Sequence, residues 1–112
     1  MINNFKTGSM EDWELDYDSL KAINPRLVYC SITGFGETGP YRHLPGYDYI
    51  IQGMSGLMSI TGSDESGPMK IGVAMVDILT GLYSAISIEA ALLEREKSGQ
   101  GQKIDMSLMD TA

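Results

Sequence analysis

The feature that most constrains this chain is a long apolar helical pattern that begins directly after a single carboxylate. Between Lys70 and Glu89 the only charged residue is Asp77, and the pattern runs from about Ile78 to Lys97. A helix of that length would extend over about 30 Å, at about 1.5 Å per residue. Its first four turns are apolar on nearly all sides, so we expect it to be central, with other elements packed around it.

Strands are predicted on both sides of this helix along the chain. Residues 26–33 are rich in β-branched and aromatic side chains and lie between Pro25 and Gly34. Their nearly continuous apolar character is typical of a strand that is covered on both faces, as in a parallel sheet. Residues 102–108 alternate as a second strand would, and residues 1–5 resemble the end of another. Strands that alternate with helices indicate an α/β fold.

Shorter elements are predicted from local patterns. Asp16 is a candidate N-cap for a helix over Tyr17–Ile23, which Pro25 would end. A second short helix is expected at 10–15, and the apolar spacing at 47–60 predicts a longer one, in spite of its glycines. Residues 34–46 form a long loop, residues 61–68 a turn-rich one, and residues 69–75 a partly extended approach to Asp77.

Composition limits the classes of function. The chain has 112 residues, enough for one domain, and a net charge of −7, which disfavours a nucleic-acid partner. Its single cysteine, Cys30, cannot form an internal disulfide and is expected to be buried in a strand. Residues 1–6 carry no signal peptide, and the run 78–93 is short for a membrane span. We therefore expect a soluble, cytoplasmic protein with no membrane partner.

Both termini look as though they were cut from something longer. The first five residues resemble the tail of a strand, and the last three residues, 110–112, resemble the start of a helix. This suggests an internal fragment.

Common catalytic motifs are missing from the sequence. One histidine and one cysteine cannot supply the usual zinc ligands, so no metal site is predicted. Gly34, Gly36 and Gly39 fit a dinucleotide-binding spacing, but Pro40 follows and no helix opens there, so this interpretation is disfavoured. His43, alone in its loop, is more typical of an exposed side chain than of a catalytic one.

The two aspartates that precede helical patterns allow two interpretations each. Asp77 is in the position of an N-cap, and from the pattern alone this is the favoured interpretation. A carboxylate at a helix N-terminus is also kept ionised by the helix dipole and can serve as a nucleophile. Asp48 has the same plain interpretation, as a cap or first-turn acid. Lys6 and Arg42 are either solvated charges or cations for an anionic ligand.

Taken in order, several stretches resemble the class III CoA-transferase family, which includes formyl-CoA:oxalate and crotonobetainyl-CoA:carnitine CoA-transferases. The match runs over nearly the whole chain with its spacing intact. The stretches are Asn4-Phe5-Lys6-x-Gly8, residues 24–36, Thr38-Gly39-Pro40, Gly46-Tyr47-Asp48, Gln52-x-x-x-Gly56-Leu57-Met58, Thr61-Gly62, Pro68, Gly72-Val73-Ala74-x-x-Asp77-x-x-x-Gly81-Leu82-Tyr83, Ala90-Ala91-Leu92 and Ser98-Gly99-Gln100-Gly101-Gln102-x-Ile104-Asp105.

The resemblance implies a fold and an assembly. Residues 1–112 would be part of a Rossmann-like large domain, truncated at both ends, with short parallel strands and a long central helix after Asp77. The first βα units, the glycine-rich loop that closes over the active site, and the small domain of the family would be missing. Subunits of the family form an interlocked homodimer.

The resemblance also implies a mechanism and site residues. Asp77 falls on the nucleophile of the family, which attacks an acyl-CoA thioester and passes through aspartyl anhydride and aspartyl-CoA intermediates to a small carboxylic acid acceptor. CoA or acyl-CoA is a substrate, and no permanently bound cofactor is implied. Asp48 falls near the nucleophile, and the positions that contact CoA are Asn4, Phe5, Lys6, Pro45, Tyr47 and Asp48.

Three departures from the family pattern leave alternatives open. Asp12 and Glu14 stand where the family commonly has a basic residue and a glycine, which puts phosphate binding there in doubt. Tyr47 stands where the racemase branch has a histidine, so a 2-methylacyl-CoA racemase is the weaker alternative. The other alternative, an inactive α/β fragment that only associates with missing segments or with itself, rests on the two abrupt ends and on the largely apolar helix after Asp77.

Overall fold

A parallel sheet of three short strands organises the chain, and the computed structural model describes all residues from 1 to 112. The sheet order is β1-β2-β3, and Cys30 of β2 pairs with Ile2 on one side and Ile104 on the other. The elements in chain order are β1 (Ile2–Asn3), α1 (Ser9–Asp12), α2 (Tyr17–Ile23), β2 (Tyr29–Thr33), α3 (Asp48–Met54), α4 (Leu57–Thr61), α5 (Met75–Ser98), β3 (Lys103–Ser107) and α6 (Leu108–Thr111). The predicted α/β class with short parallel strands is confirmed.

The central strand β2 is buried, as predicted. Cys30 is completely inaccessible to solvent, and the Tyr29 hydroxyl donates a hydrogen bond to the Leu15 carbonyl at 3.2 Å. The strand begins three residues later than predicted because residues 24–27 form a turn. A hydrogen bond of 3.0 Å from the amide of Leu27 to the carbonyl of Asn24 closes this turn. The sequence therefore predicted the element but not its start.

Helix α2 has the predicted bounds and the predicted cap. The Asp16 carboxylate accepts hydrogen bonds from the amides of Asp18 at 3.0 Å and Ser19 at 3.1 Å, and from the Ser19 hydroxyl at 2.6 Å. These hydrogen bonds to the charged form, that of the Ser19 side chain foremost, lower the pKa of Asp16.

Two predicted helices are shorter in the structure. The helix expected at 10–15 ends at Asp12, and Glu14 then adopts a positive φ of 57°, which a helix cannot include. The single helix expected at 47–60 was wrong, because α3 ends at Met54 and α4 begins at Leu57. Gly56 lies between them with φ 90°, a left-handed conformation that interrupts a helix and favours glycine.

Helix α5 begins earlier than predicted and ends at a glycine. It starts at Met75, three residues before the expected start, and Gly99 ends it with φ 74° and an amide hydrogen bond to the Arg95 carbonyl at 2.8 Å. Its 24 residues make it long and apolar enough to cross a membrane by those criteria alone, so the expectation of too short a run was wrong. Core helices of soluble proteins meet the same criteria.

The apolar surface of α5 is only partly covered. Its fully buried residues are Val76, Thr80, Ser84 and Ala91, and a small core forms where Val76 meets Ile51 and Leu108. The face turned away from the sheet exposes large apolar side chains, namely Ile78, Leu82, Tyr83, Ile86 and Leu93. The expected cover on nearly all sides is therefore absent from these 112 residues.

The overall shape agrees with a core that is incomplete. The chain measures 57 × 30 × 20 Å, and its radius of gyration is 16.4 Å. A compact domain of this length has a radius of gyration of about 13 Å. Only 17 of the 112 residues are buried, while twenty large apolar side chains are exposed. An apolar surface of this extent is typical of a face that other polypeptide covers.

Candidate active site

A cleft of about 870 Å³ lies at the N-terminus of α5, where the carboxyl ends of β1 and β2 also point. Ligands of open α/β sheets bind at this end of the strands. The cleft is lined by residues 4–7 after β1, residues 32–34 at the end of β2, the loop and helix start at 42–49, and Lys70 with residues 72–74 before α5. All the site residues predicted from the sequence line it: Asn4, Phe5, Lys6, Pro45, Tyr47, Asp48 and Asp77.

Asp77 is the third residue of α5 and not its N-cap. The N-cap position is occupied by Ala74, which has no side chain to cap with. The favoured interpretation of Asp77 as a cap was therefore wrong, because the helix starts a turn earlier than the apolar pattern indicates. The Asp77 carboxylate accepts no hydrogen bond, although its backbone amide donates one. Its side chain is exposed in the cleft.

Asp48 supplies the missing cap from another helix. It is a first-turn acid of α3, one of the two roles expected for it, but it does not cap its own helix, and its carboxylate reaches across to α5. Its Oδ2 accepts hydrogen bonds from the amides of Val76 at 2.7 Å and of Asp77 at 3.1 Å. The free N–H groups at the start of a helix favour such a negative charge. Asp48 thus fixes the first turn of α5 to the first turn of α3.

Gln52 completes this connection, and the sequence analysis missed it as a site residue. It lies one turn after Asp48 on α3, and it is only 1% exposed. Its Nε2 donates to Oδ1 of Asp48, and its Oε1 accepts from the amide of Ile71 at 2.9 Å. The one available indication was a glutamine within the otherwise apolar spacing of α3.

The amides of the first turn of α5 are all occupied. The start of a helix commonly leaves N–H groups free to bind an anion. The acceptors are instead the Val73 carbonyl for Met75, Asp48 Oδ2 for Val76 and Asp77, and the Ala74 carbonyl for Ile78. Charge that develops in the cleft must therefore be stabilised by other groups.

The environment of Asp77 raises its pKa above the ordinary value of 3.8. Partial desolvation is the larger cause, and the negative charge of Asp48 is the second. This differs from our expectation that the helix end would simply keep Asp77 ionised. The amides of Val76 and Asp77 already bond to Asp48 and so do not stabilise the charge of the Asp77 carboxylate. The remaining surroundings of Asp77 favour its protonated form.

Basic side chains line the same cleft. Lys6, Arg42, His43 and Lys70 all face it, and none of them forms a salt bridge with an acidic residue of the chain. Arg42 and His43 contact each other, with Nε of Arg42 donating to Nε2 of His43 at 3.0 Å. Although the chain is acidic overall, the positive charges of Lys6, Arg42 and Lys70 suit an anionic ligand.

Two glycines hold the loop 34–46 closed against the sheet. A Cβ added to Gly34 would lie 2.4 Å from the Cα of Gly46, so the two backbones touch at this point. Gly34 follows the end of β2, and Gly46 immediately precedes Tyr47 and Asp48. The close approach therefore places the start of α3, and Asp48 with it, beside the carboxyl end of the sheet.

The departures at Asp12 and Glu14 lie outside this cleft. Both side chains are exposed, and neither lines the cleft. Between them, the ring of Trp13 meets the ring of Phe5 edge to face, with centroids 5.1 Å apart. Phe5 itself lines the cleft, so the aromatic contact links α1 to its wall.

Comparison with known proteins identifies the family. The family model described as CoA-transferase family III matches residues 1–112. The chain belongs to this family. The resemblance noted in the sequence is thereby confirmed, and the family members found among curated proteins are named as CoA-transferases with several different acids.

Two curated relatives illustrate the match. A succinate–glutarate CoA-transferase of Agrobacterium fabrum is 58% identical over 110 residues, which is 98% of this chain and 28% of that protein. An acetyl-CoA:oxalate CoA-transferase of Acetobacter aceti is 41% identical over 111 residues, again 98% of this chain and 28% of that protein. The chain thus spans little more than a quarter of these relatives.

Solved structures agree with the fold. A CAIB/BAIF family protein from Brucella suis has a TM-score of 0.95 and 59% identity, with 98% of this chain and 29% of that chain covered. A protein of Mycobacterium tuberculosis has a TM-score of 0.89 at 31% identity, with 98% and 31% covered. The arrangement of sheet and helix described above therefore occurs inside larger proteins of this family.

Proposed function

We propose that these residues are the active-site segment of a longer class III CoA-transferase, in which Asp77 is the nucleophile. The observation that supports this most is the state of the Asp77 carboxylate. It stands in the cleft without a hydrogen-bond partner, while the neighbouring Asp48 carries out the capping. A carboxylate that has no structural task at the start of a helix is available for covalent chemistry.

The proposed reaction exchanges one acyl bond for another in four steps. Asp77 attacks the thioester carbonyl, which forms an aspartyl anhydride and releases the CoA thiolate. The thiolate attacks the Asp77 carbonyl, which forms an aspartyl-CoA thioester and releases the donor acid. The acceptor carboxylate then displaces the thiolate to form a second anhydride. Finally, the thiolate attacks the acyl carbonyl of the acceptor, which frees Asp77 and gives the new thioester.

The cleft offers groups for both substrates. The segment 4–6 together with Pro45 and Tyr47 would contact CoA, as the family resemblance implies. We assign Lys70 to the acid, because it precedes the segment that leads directly to Asp77 and carries an unpaired positive charge. Relatives named for glutarate, oxalate and malate act on dicarboxylic acids, so a small dicarboxylic acid is the proposed acceptor. Its second carboxylate would pair with Lys70.

The missing cover of α5 supports the proposal of a longer, dimeric protein. The exposed apolar face of this helix would be covered by segments outside these 112 residues and by a second subunit, interlocked as in the family. Light scattering of the full-length protein would test the dimer, and a monomer at micromolar concentration would contradict it. For the 112-residue chain alone, we expect association and binding of an apolar dye, and a clean monomer without dye binding would contradict that.

The experiment that tests the function is the capture of acylated Asp77. The full-length protein is incubated with succinyl-CoA, quenched and digested, and the peptide that contains Asp77 is examined by mass spectrometry. We expect the mass of a CoA adduct, or of a hydroxamate when hydroxylamine is added. The Asp77→Ala variant should lose both the adduct and the transfer activity. Asp64→Asn, in an exposed loop outside the cleft, is the control and should keep both.

The racemase alternative is tested with the same preparations. Exchange of the α-proton of a 2-methylacyl-CoA in heavy water, without transfer of CoA, would support it and contradict the proposed function. The exposed phenol of Tyr47 stands where the racemases carry a histidine, and a phenol is a poor base near neutral pH. We therefore expect transfer of CoA and no such exchange.

A further inference from the structure

We infer that Gln52 is a positioning residue for the proposed reaction: it holds Asp48 and the segment 71–73 in the arrangement that presents Asp77 to the cleft. This inference rests on the proposed function for its kinetic consequence. Its structural part, the fixing of the first turn of α5, can be tested independently of activity.

The contacts of Gln52 use both ends of its amide. Nε2 donates to Oδ1 of Asp48 and, at 3.4 Å, to the carbonyl of Val73. Oε1 accepts from the amide of Ile71 at 2.9 Å. The side chain is only 1% exposed, so water cannot replace these partners. Of the side chains of this length, ionised glutamate lacks the donor, and methionine has no donor and only a weak acceptor.

These contacts connect the two walls of the cleft to one buried group. On one side, Gln52 bonds to one oxygen of Asp48, and the other oxygen of Asp48 accepts from the amides of Val76 and Asp77. On the other side, the bonds to residues 71 and 73 fix the segment that lies between Lys70 and α5, most of which lines the cleft. The carboxylate of Asp77, which has no hydrogen bond of its own, is therefore oriented through its backbone.

The expected consequence is a change in chemistry rather than in CoA binding. Gln52 does not line the cleft, and it forms no hydrogen bond with the residues that we assign to CoA, which are the segment 4–6, Pro45 and Tyr47. Displacement of a catalytic group by about 1 Å can reduce a rate about a hundredfold. Loss of the Gln52 contacts should therefore lower kcat, while KM for the acyl-CoA changes little.

The test uses the full-length protein and two substitutions. Gln52→Met keeps the length of the side chain and removes every hydrogen bond, and we expect kcat to fall about ten- to a hundredfold with KM for succinyl-CoA within about twofold. Gln52→Glu can donate to Asp48 only when it is protonated. The carboxylate of Asp48 faces it and favours that proton. Its kcat relative to the unsubstituted protein should therefore rise as the pH falls.

Amide hydrogen exchange supplies the readout that does not need activity. Gln52→Met should increase deuterium uptake in the peptide that covers residues 71–78, because the cap of α5 is loosened. Ser84→Ala is the control: Ser84 is buried on the same helix, two turns away and outside the cleft. It should leave both the exchange of that peptide and kcat unchanged.

The outcomes separate this inference from the proposed function. If the unsubstituted protein transfers CoA and Gln52→Met has the same kcat and exchange, the inference is wrong. A lower melting temperature with unchanged kcat would mean that Gln52 serves packing alone, which also contradicts it. If the unsubstituted protein does not transfer CoA, the proposed function fails, and the exchange measurement alone decides whether Gln52 fixes the first turn of α5.

Discussion

Replacing Asp48 by asparagine should destabilise the protein, although the two side chains have the same shape. The carboxylate accepts from two backbone amides through one oxygen and from Gln52 through the other. In asparagine one of these two atoms becomes an NH₂ group, and at either position it faces another donor. If Gln52 turns its amide over to compensate, it gives up its bond from Ile71.

The size of the effect follows from these bonds. The two amide bonds change from charge-assisted to neutral, at a cost of about 1 kcal/mol each, and a lost buried pair costs about 1–3 kcal/mol. Because Asp48 is only half-buried, we expect the lower end of that range for the lost pair, and therefore a total of about 3 kcal/mol in the free energy of unfolding. Asp18→Asn is the control, since Asp18 is exposed in the first turn of α2 and its carboxylate accepts no hydrogen bond.

Urea denaturation of the full-length protein, followed by circular dichroism, measures this difference. The same variant has a second consequence for the pH dependence of activity. The negative charge of Asp48 contributes to the raised pKa of Asp77, so its removal should lower that pKa and move the acidic limb of kcat/KM to lower pH. Desolvation, the larger cause, remains. An Asp48→Asn protein as stable as the Asp18→Asn control, or an acidic limb that moves to higher pH, would refute this account of the site.

Three further predictions concern other positions. The pKa of Asp16 is lowered from 3.8 in the folded state, so its ionised carboxylate stabilises the fold above pH 3.8, and this stabilisation is lost as the pH falls through the folded-state pKa. Unfolding curves of Asp16→Ala and of the unsubstituted protein should therefore differ at pH 7 and converge in acid. Gly34→Ala forces the facing backbone away and should cost about 1–3 kcal/mol, whereas Gly81→Ala, an exposed helix position with free space around its Cα, should stabilise by up to about 1 kcal/mol in the same denaturation assay. Lys70→Ala should raise KM for a dicarboxylic acceptor at least tenfold with little change for a monocarboxylic one, while the control Lys97→Ala, in the last turn of α5, should change neither. Equal effects of Lys70→Ala on both acids would contradict the assignment of Lys70 to the second carboxylate of the acceptor.

Elements with local causes were predictable from the sequence. Helix α2 is capped by Asp16, which directly precedes it in the sequence and bonds to residues two and three positions later. The burial of strand β2 follows from its own apolar composition. The break at Gly56 was not predictable in the same way, because the segment contains two glycines and only one of them adopts a positive φ. Which glycine interrupts the helix depends on how α3 and α4 pack, and the sequence does not contain that information locally.

The sequence predicted which residues line the candidate site but not what each of them does there. The family resemblance names residues that converge on one cleft from the segment after β1, the loop 34–46, the start of α3 and the start of α5. The tasks depend on contacts between residues far apart in sequence, such as Asp48 with the amide of Val76, 28 positions later. A pattern of apolar residues also cannot reveal that α5 begins a turn early, since the cap that permits this comes from α3.

The exchange of tasks between the two aspartates has a chemical consequence. If Asp77 capped its own helix, the amide bonds would stabilise its charged form, lower its pKa and make it a weak nucleophile. Because Asp48 takes those amides, Asp77 is left with partial desolvation and a like charge nearby, and both raise its pKa. A carboxylate that binds a proton more tightly also forms a stronger bond to an acyl carbon, provided that it is ionised at the working pH. If Asp77 is the nucleophile, as we propose, the contact between Gln52 and Asp48 keeps the helix capped while leaving the Asp77 carboxylate free to react.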